Sequence, residues 1–110
     1  MRNDEKDILA RAARGDADAF GRVAEKYQGL VYATSFQIVK DHSAARDLAQ
    51  DALVRAFTQL GRLRDLDAFP SWLRQIVRHA ALAWTKTHKR HVPIEDAGIL
   101  RVEPTPSANL

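Results

Sequence analysis

The chain has 110 residues, no cysteine and a net charge of +3, with 45% apolar and 28% charged side chains. This length suits one domain around a single core, and the apolar content is above the level at which chains stay disordered. Disulfides and thiolate metal sites are excluded, no run of about 18 apolar residues exists to span a membrane, and the mixed charges of Arg2, Asp4, Glu5, Lys6 and Asp7 are unlike a secretory signal, so a cytoplasmic globular protein is expected.

A first helix is predicted from a cap at Asn3 or Asp4 to about Arg14, with Asp4, Glu5 and Asp7 at its positive end and Gly15 as its stop. Asp16 is placed to cap a second helix over 17–39. Its apolar positions Phe20, Val23, Ala24, Tyr27, Leu30, Val31, Thr34 and Ile38 recur every three or four residues. Gly29 lies inside this helix and marks either a close helix–helix approach or nothing. Asp41 is placed to cap a third helix from His42 to about Leu60, the clearest amphipathic pattern in the chain. Its core stripe is Ala45, Leu48, Ala49, Ala52, Leu53, Ala56, Phe57 and Leu60, and Gly61 is its expected end.

Residues 61–68 form a joint with room for a short helical turn, in which Asp65 and Asp67 are expected to pair with Arg62 and Arg64. A fourth helix over 69–88 carries Pro70 in its first turn, where a missing N–H costs nothing. It is expected to bury Phe69, Trp72, Leu73, Ile76, Val77, Ala80 and either Ala83 or Trp84, with Arg74, Arg78, Thr85 and Lys89 on the other side. No segment alternates for long enough to be a strand. The expected fold is therefore all-α: a compact bundle of three main helices plus a short N-terminal one, in a domain over 1–92. Residues 93–110, which contain Pro93, Pro104 and Pro106, read as a linker or tail.

The charge is unevenly distributed. Residues 1–60 are balanced, residues 93–110 are net negative, and residues 61–92 carry Arg62, Arg64, Arg74, Arg78, Lys86, Lys89 and Arg90 against Asp65 and Asp67 alone. Such a segment is either a solvated face or the footprint of a polyanion binder. Trp72 falls on the apolar stripe and reads as core, while Trp84 is core or half-exposed and free to stack on a base. The polar side of the third helix presents Asp47, Gln50, Asp51, Val54 and Thr58, with Arg46 and Arg55 beside them. It is an ordinary wet face or a docking surface for a basic helical partner. Catalysis has no foothold: the chain lacks a Gly-rich phosphate loop, a His-Glu-x-x-His pair and a calcium loop. His88 and His91 lack an adjacent carboxylate and sit among cations. No enzyme activity, metal or cofactor is expected.

Four stretches carry a resemblance. Gly15-Asp16 through Ala19-Phe20, followed by Tyr27, is similar to "GD…AF…LY…Y"; Asp41 through Phe57 (DHSAARDLAQDALVRAF) to "D…AEDLVQEVFLRAW"; Phe69 through Arg78 (FPSWLRQIVR) to "FRAWLYRIARN"; and the basic end through Lys89-Arg90 to "LRR". Over roughly residues 8–90 the chain resembles region 2, the promoter-melting domain, of bacterial extracytoplasmic-function sigma factors. The resemblance implies that Asp47, Gln50 and Asp51, together with Val54, dock on the clamp coiled coil of the largest subunit of RNA polymerase, while Leu48 and Phe57 stay in the core. It implies that the joint at 61–68, with Arg62 and Arg64, receives a flipped base of the non-template strand of the promoter −10 element. Arg74, Arg78, His79, Lys86, Lys89 and Arg90 are then the nucleic-acid contacts of the helix that melts and reads that element. An anti-sigma protein is a further partner the resemblance admits.

The chain departs from the family's usual Glu at Asp51, Asn at His79, Asp at Ala83 and Leu-Arg at Thr85-Lys86. These departures keep an alternative in view, a helical interaction domain of the same fold that has lost promoter melting. Family members also carry a second helical domain that reads the −35 element, so the tail is expected to be an interdomain linker of a longer protein. A duplex reader of the helix-turn-helix kind is set aside, because no second short helix is placed for major-groove insertion.

Overall fold

Short joints with well-defined hydrogen bonding set the path of the chain. The computed structural model describes residues 3–88, and within them it contains four α-helices and no strand. They are α1 (Asn3–Ala13), α2 (Ala17–Val39), α3 (His42–Gln59) and α4 (Phe69–His88). The tail at 93–110 lies outside the described residues.

The α1–α2 joint is a Schellman turn. Gly15 takes φ +101°, its N–H donates to the Ala12 carbonyl (3.0 Å), and the Asp16 N–H donates to that of Arg11 (3.1 Å). Asp16 then serves the next helix, its carboxylate accepting the Ala19 N–H at 3.1 Å. The α2–α3 joint is shorter still. Lys40 adopts the left-handed conformation (φ 58°) and donates its N–H to the Phe36 carbonyl, and Asp41 caps α3 by accepting the Ala44 N–H at 3.0 Å. At the start of the chain, Asn3 and Asp4 lie within α1, so Asp4 contributes to the first turn as an anion rather than as a residue outside the helix.

The joint at 61–68 holds two 3-10 turns, Leu60–Arg62 and Leu66–Ala68. α3 ends at Gln59, and Gly61, its expected end, lies inside the first of these turns. The glycine's backbone is not left-handed, and a Cβ there would lie 3.4 Å from the Ala13 carbonyl oxygen, an ordinary contact with the end of α1. Gly29, by contrast, has nothing within 4 Å of the place a Cβ would occupy and marks no helix–helix approach.

The long helix α2 packs against each of the other three. One core cluster joins Leu9 and Ala12 of α1 to Phe20, Val23 and Val31 of α2, Leu53 and Leu60, and Phe69, Leu73 and Val77 of α4. Ring pairs reinforce it: Phe20 meets Phe57 at 4.9 Å, and Tyr27 meets Phe69 edge-on at 5.3 Å. A second cluster at the far end gathers Val39, Ala45 and Ala81, with Leu48 and Trp84 packed at its margin. The expected stripes hold with local shifts. In α2 the fully buried row includes Ala19, Ser35 and Val39, while Leu30, Thr34 and Ile38 are only half-buried. A 23-residue helix flanked by three neighbours does not keep one face inward along its whole length. In α4 the row Leu73, Val77, Ala81 is fully buried, Trp72 and Trp84 are half-buried, and Ala83 is exposed.

Candidate nucleic-acid interface

Two faces of the bundle stand out once the core is assigned. The first is the outward side of α3. Small alanines turn inward at 45, 49, 52 and 56, so α3 sits close to its neighbours and leaves Asp47, Gln50, Asp51 and Val54 exposed together. Val54 is 63% exposed, which is unusual for its type. Among the described residues neither Asp47 nor Asp51 forms an ion pair, and Arg46 and Arg55 beside them do not close on either carboxylate. Two like charges one turn apart cost an isolated helix a few tenths of a kcal/mol, and no ion pair among the described residues offsets it. Leu48 and Phe57 are half-buried rather than fully enclosed, each packed against a core cluster.

The second face belongs to α4, which contains no Asp or Glu. Arg74, Arg78 and Lys86 are exposed on one side of it, and none has a carboxylate partner among the described residues. Their spacing follows the helix repeat, each four-residue step advancing about 6 Å along the axis. A carboxylate-free row of cations offers phosphates positive charge without first breaking an ion pair.

Arg62 and Arg64 are exposed in the joint, and the pairing expected for them does not occur. Asp67 instead meets Lys6 of α1 at 3.3 Å, and the Asp65 carboxylate accepts the Asp67 N–H at 3.0 Å to cap the second 3-10 turn. A cap within the turn and an ion pair to α1 thus occupy the two carboxylates, and both guanidiniums are left to solvent.

His79 separates from the cation row. It lines a groove between α3 and α4 with Asp51, Arg55, Ala83 and Trp84, so the groove joins the acidic face to the flank of the basic helix. Trp84 is less available than its position among cations suggested. It is half-buried, and His88 covers its ring at 4.0 Å and 13° while donating its Nδ1–H to the Trp84 carbonyl at 2.9 Å. Lys89, Arg90 and His91 lie outside the described residues. Sequence reasoning passed over Leu82, which is 46% exposed on the cationic side of α4, while Arg55, expected beside the acidic face, also lines the groove. Leu82 stands four residues from both Arg78 and Lys86, a spacing that already placed it off the buried stripe.

No helix among the described residues is long and apolar enough to cross a membrane, and no group of three metal-ligating side chains is gathered there.

Residues 23–91 match the family model for sigma-70 region 2. That span takes in most of α2, the whole of α3 and α4, and the joint between them. The chain is 38% identical over 104 residues to a probable RNA polymerase sigma factor, RfaY, of Xanthomonas campestris, an overlap covering 90% of this chain and 26% of that protein. It is 32% identical over 92 residues to the RNA polymerase sigma-H factor of Pseudomonas aeruginosa, covering 84% of this chain and 48% of that protein. With the extracytoplasmic-function RNA polymerase sigma-E factor of Escherichia coli it shares 26% identity over 96 residues, 87% of this chain and 50% of that protein. The chain therefore spans half or less of the length of these relatives.

Proposed function

Because the chain belongs to the sigma-70 region 2 family, we propose that it serves transcription initiation by docking on core RNA polymerase and by binding and melting the promoter −10 element. The role is non-catalytic. The observation that supports it most directly is the division of one small bundle into an unpaired acidic face on α3 and a carboxylate-free cationic face on α4.

In this reading Asp47, Gln50 and Asp51 meet the clamp coiled coil of the polymerase largest subunit, and Val54 forms the apolar centre of the contact. Arg74, Arg78 and Lys86 neutralise phosphates of the non-template strand, and Lys89 and Arg90 extend that set. Arg62 and Arg64 stand at the joint that receives a flipped base, where a base removed from the stack needs positive charge for its flanking phosphates. His79 acts from the groove, beside Asp51, rather than from the phosphate row. The mechanism is capture: the unpaired strand binds better than the duplex, so its binding energy favours the open promoter.

The test is retention of bacterial core RNA polymerase by the wild-type chain and by the double variant Asp47→Arg/Asp51→Arg. Both positions are exposed, so the variant keeps its helical circular dichroism. Retention by the wild type and loss in the variant is the expected result. Equal retention by both removes the α3 interface, and no retention by the folded wild type defeats the docking function.

A further inference from the structure

Val54 and Leu82 are the large apolar side chains most exposed among the described residues. Val54 lies on the face assigned to a protein partner. Leu82 lies instead within the cationic row of α4, one helical step after Arg78 and one before Lys86, so that each cation stands about 6 Å from it along the axis. The nearby Thr85 turns its hydroxyl back to the Leu82 carbonyl (2.8 Å) and is itself only partly exposed, so it sets no competing polar group beside the leucine.

A lone exposed leucine ordinarily needs no explanation. This one is flanked by cations on a helix without a single carboxylate, a setting complementary to a polyanion. Within such a row the leucine has nothing to offer a phosphate. Each sugar between successive phosphates of a nucleic acid strand carries a base beside the charged backbone. In a duplex the base faces are stacked and hidden, whereas in an unpaired strand they are open to apolar contact.

We propose that Leu82 packs on the face of an unpaired base whose flanking phosphates are held by Arg78 and Lys86, and that it thereby gives α4 a preference for single strand over duplex. The inference rests on the nucleic-acid part of the function proposed above and adds a residue and a role to it. Arg78 and Lys86 supply charge that any nucleic acid satisfies, and Leu82 supplies the contact that only an unstacked base satisfies.

The test uses the 110-residue chain and two fluorescent strands of equal phosphate count, a short thymidine oligonucleotide and its fully abasic counterpart. Leu82→Ala is a benign change on an exposed helix, since alanine is the best helix former. It is expected to weaken binding to the thymidine strand about five-fold, to leave the abasic strand unaffected, and to keep the salt dependence of wild type. Arg78→Ala is expected to weaken both strands and to flatten the salt dependence. If Leu82→Ala changes neither affinity, or both equally, while Arg78→Ala still weakens them, the leucine contact is overturned and the nucleic-acid reading stands. A wild-type chain that binds neither strand overturns both.

Discussion

Ser35 is fully buried in α2, and among the described residues its hydroxyl has no hydrogen-bond partner. An unsatisfied buried hydroxyl carries its desolvation cost without return, so Ser35→Ala is expected to raise stability by about 1 kcal/mol. Urea unfolding measures this, and a lower midpoint in the variant would show that the hydroxyl is bonded after all. Tyr27 presents a titrating counterpart. Burial raises its phenol above the ordinary value of 10.0. The fold therefore favours the neutral form, and the stability this contributes is complete below pH about 10 and is lost as pH rises through the raised value. Tyr27→Phe is expected to make the alkaline loss of stability shallower. Identical alkaline limbs in variant and wild type would remove Tyr27 as its source.

At the scale of the element, local chemistry accounts for most of the boundaries. Asp16 and Asp41 cap α2 and α3 as their positions in the sequence indicated, and Pro70 opens α4 without loss of a hydrogen bond. Two backbone positions invite opposite exchanges. Gly29 lies in mid-helix with open space around it, so Gly29→Ala is expected to stabilise α2 by up to about 1 kcal/mol. Lys40 occupies a left-handed position that glycine fills at lower steric cost, so Lys40→Gly is expected to gain about 1 kcal/mol. Thermal melts of the two single variants check both, and a loss in either would mean that its side chain, or its absence, serves a contact beyond the helix itself. Gly61 shows where local reading fell short. A glycine after an apolar stripe looks like a helix stop, yet α3 ends two residues before it and Gly61 lies in the following turn, facing the Ala13 carbonyl from 48 positions earlier in the chain.

Across the whole molecule, the two faces are held in fixed relation by one bundle, with the α3–α4 groove between them. Three described cations on α4, at about 0.7 per phosphate for a single strand, imply that the logarithm of affinity falls with that of salt with a slope of about −2 from these residues alone. Titrations over a range of salt measure the slope, and a value near zero would mean that the row meets no phosphates.

The helices, the caps of α2 and α3, the main core stripes and the resemblance to region 2 were legible in the sequence, because they depend on residue spacing within one segment and on side chains that bond their own backbone. The polar side of α3 was legible for the same reason, since a clear stripe fixes its opposite face. Only the tertiary structure decided the rest. It turned Asp67 to Lys6 and left Arg62 and Arg64 unpaired, because α1 brings a cation to the joint from elsewhere in the chain. It placed His79 in a groove opposite Asp51, covered Trp84 with His88, and left Leu82 exposed among cations. Each of these outcomes is set by which helix lies alongside, and residue spacing within a single segment carries no record of its neighbours.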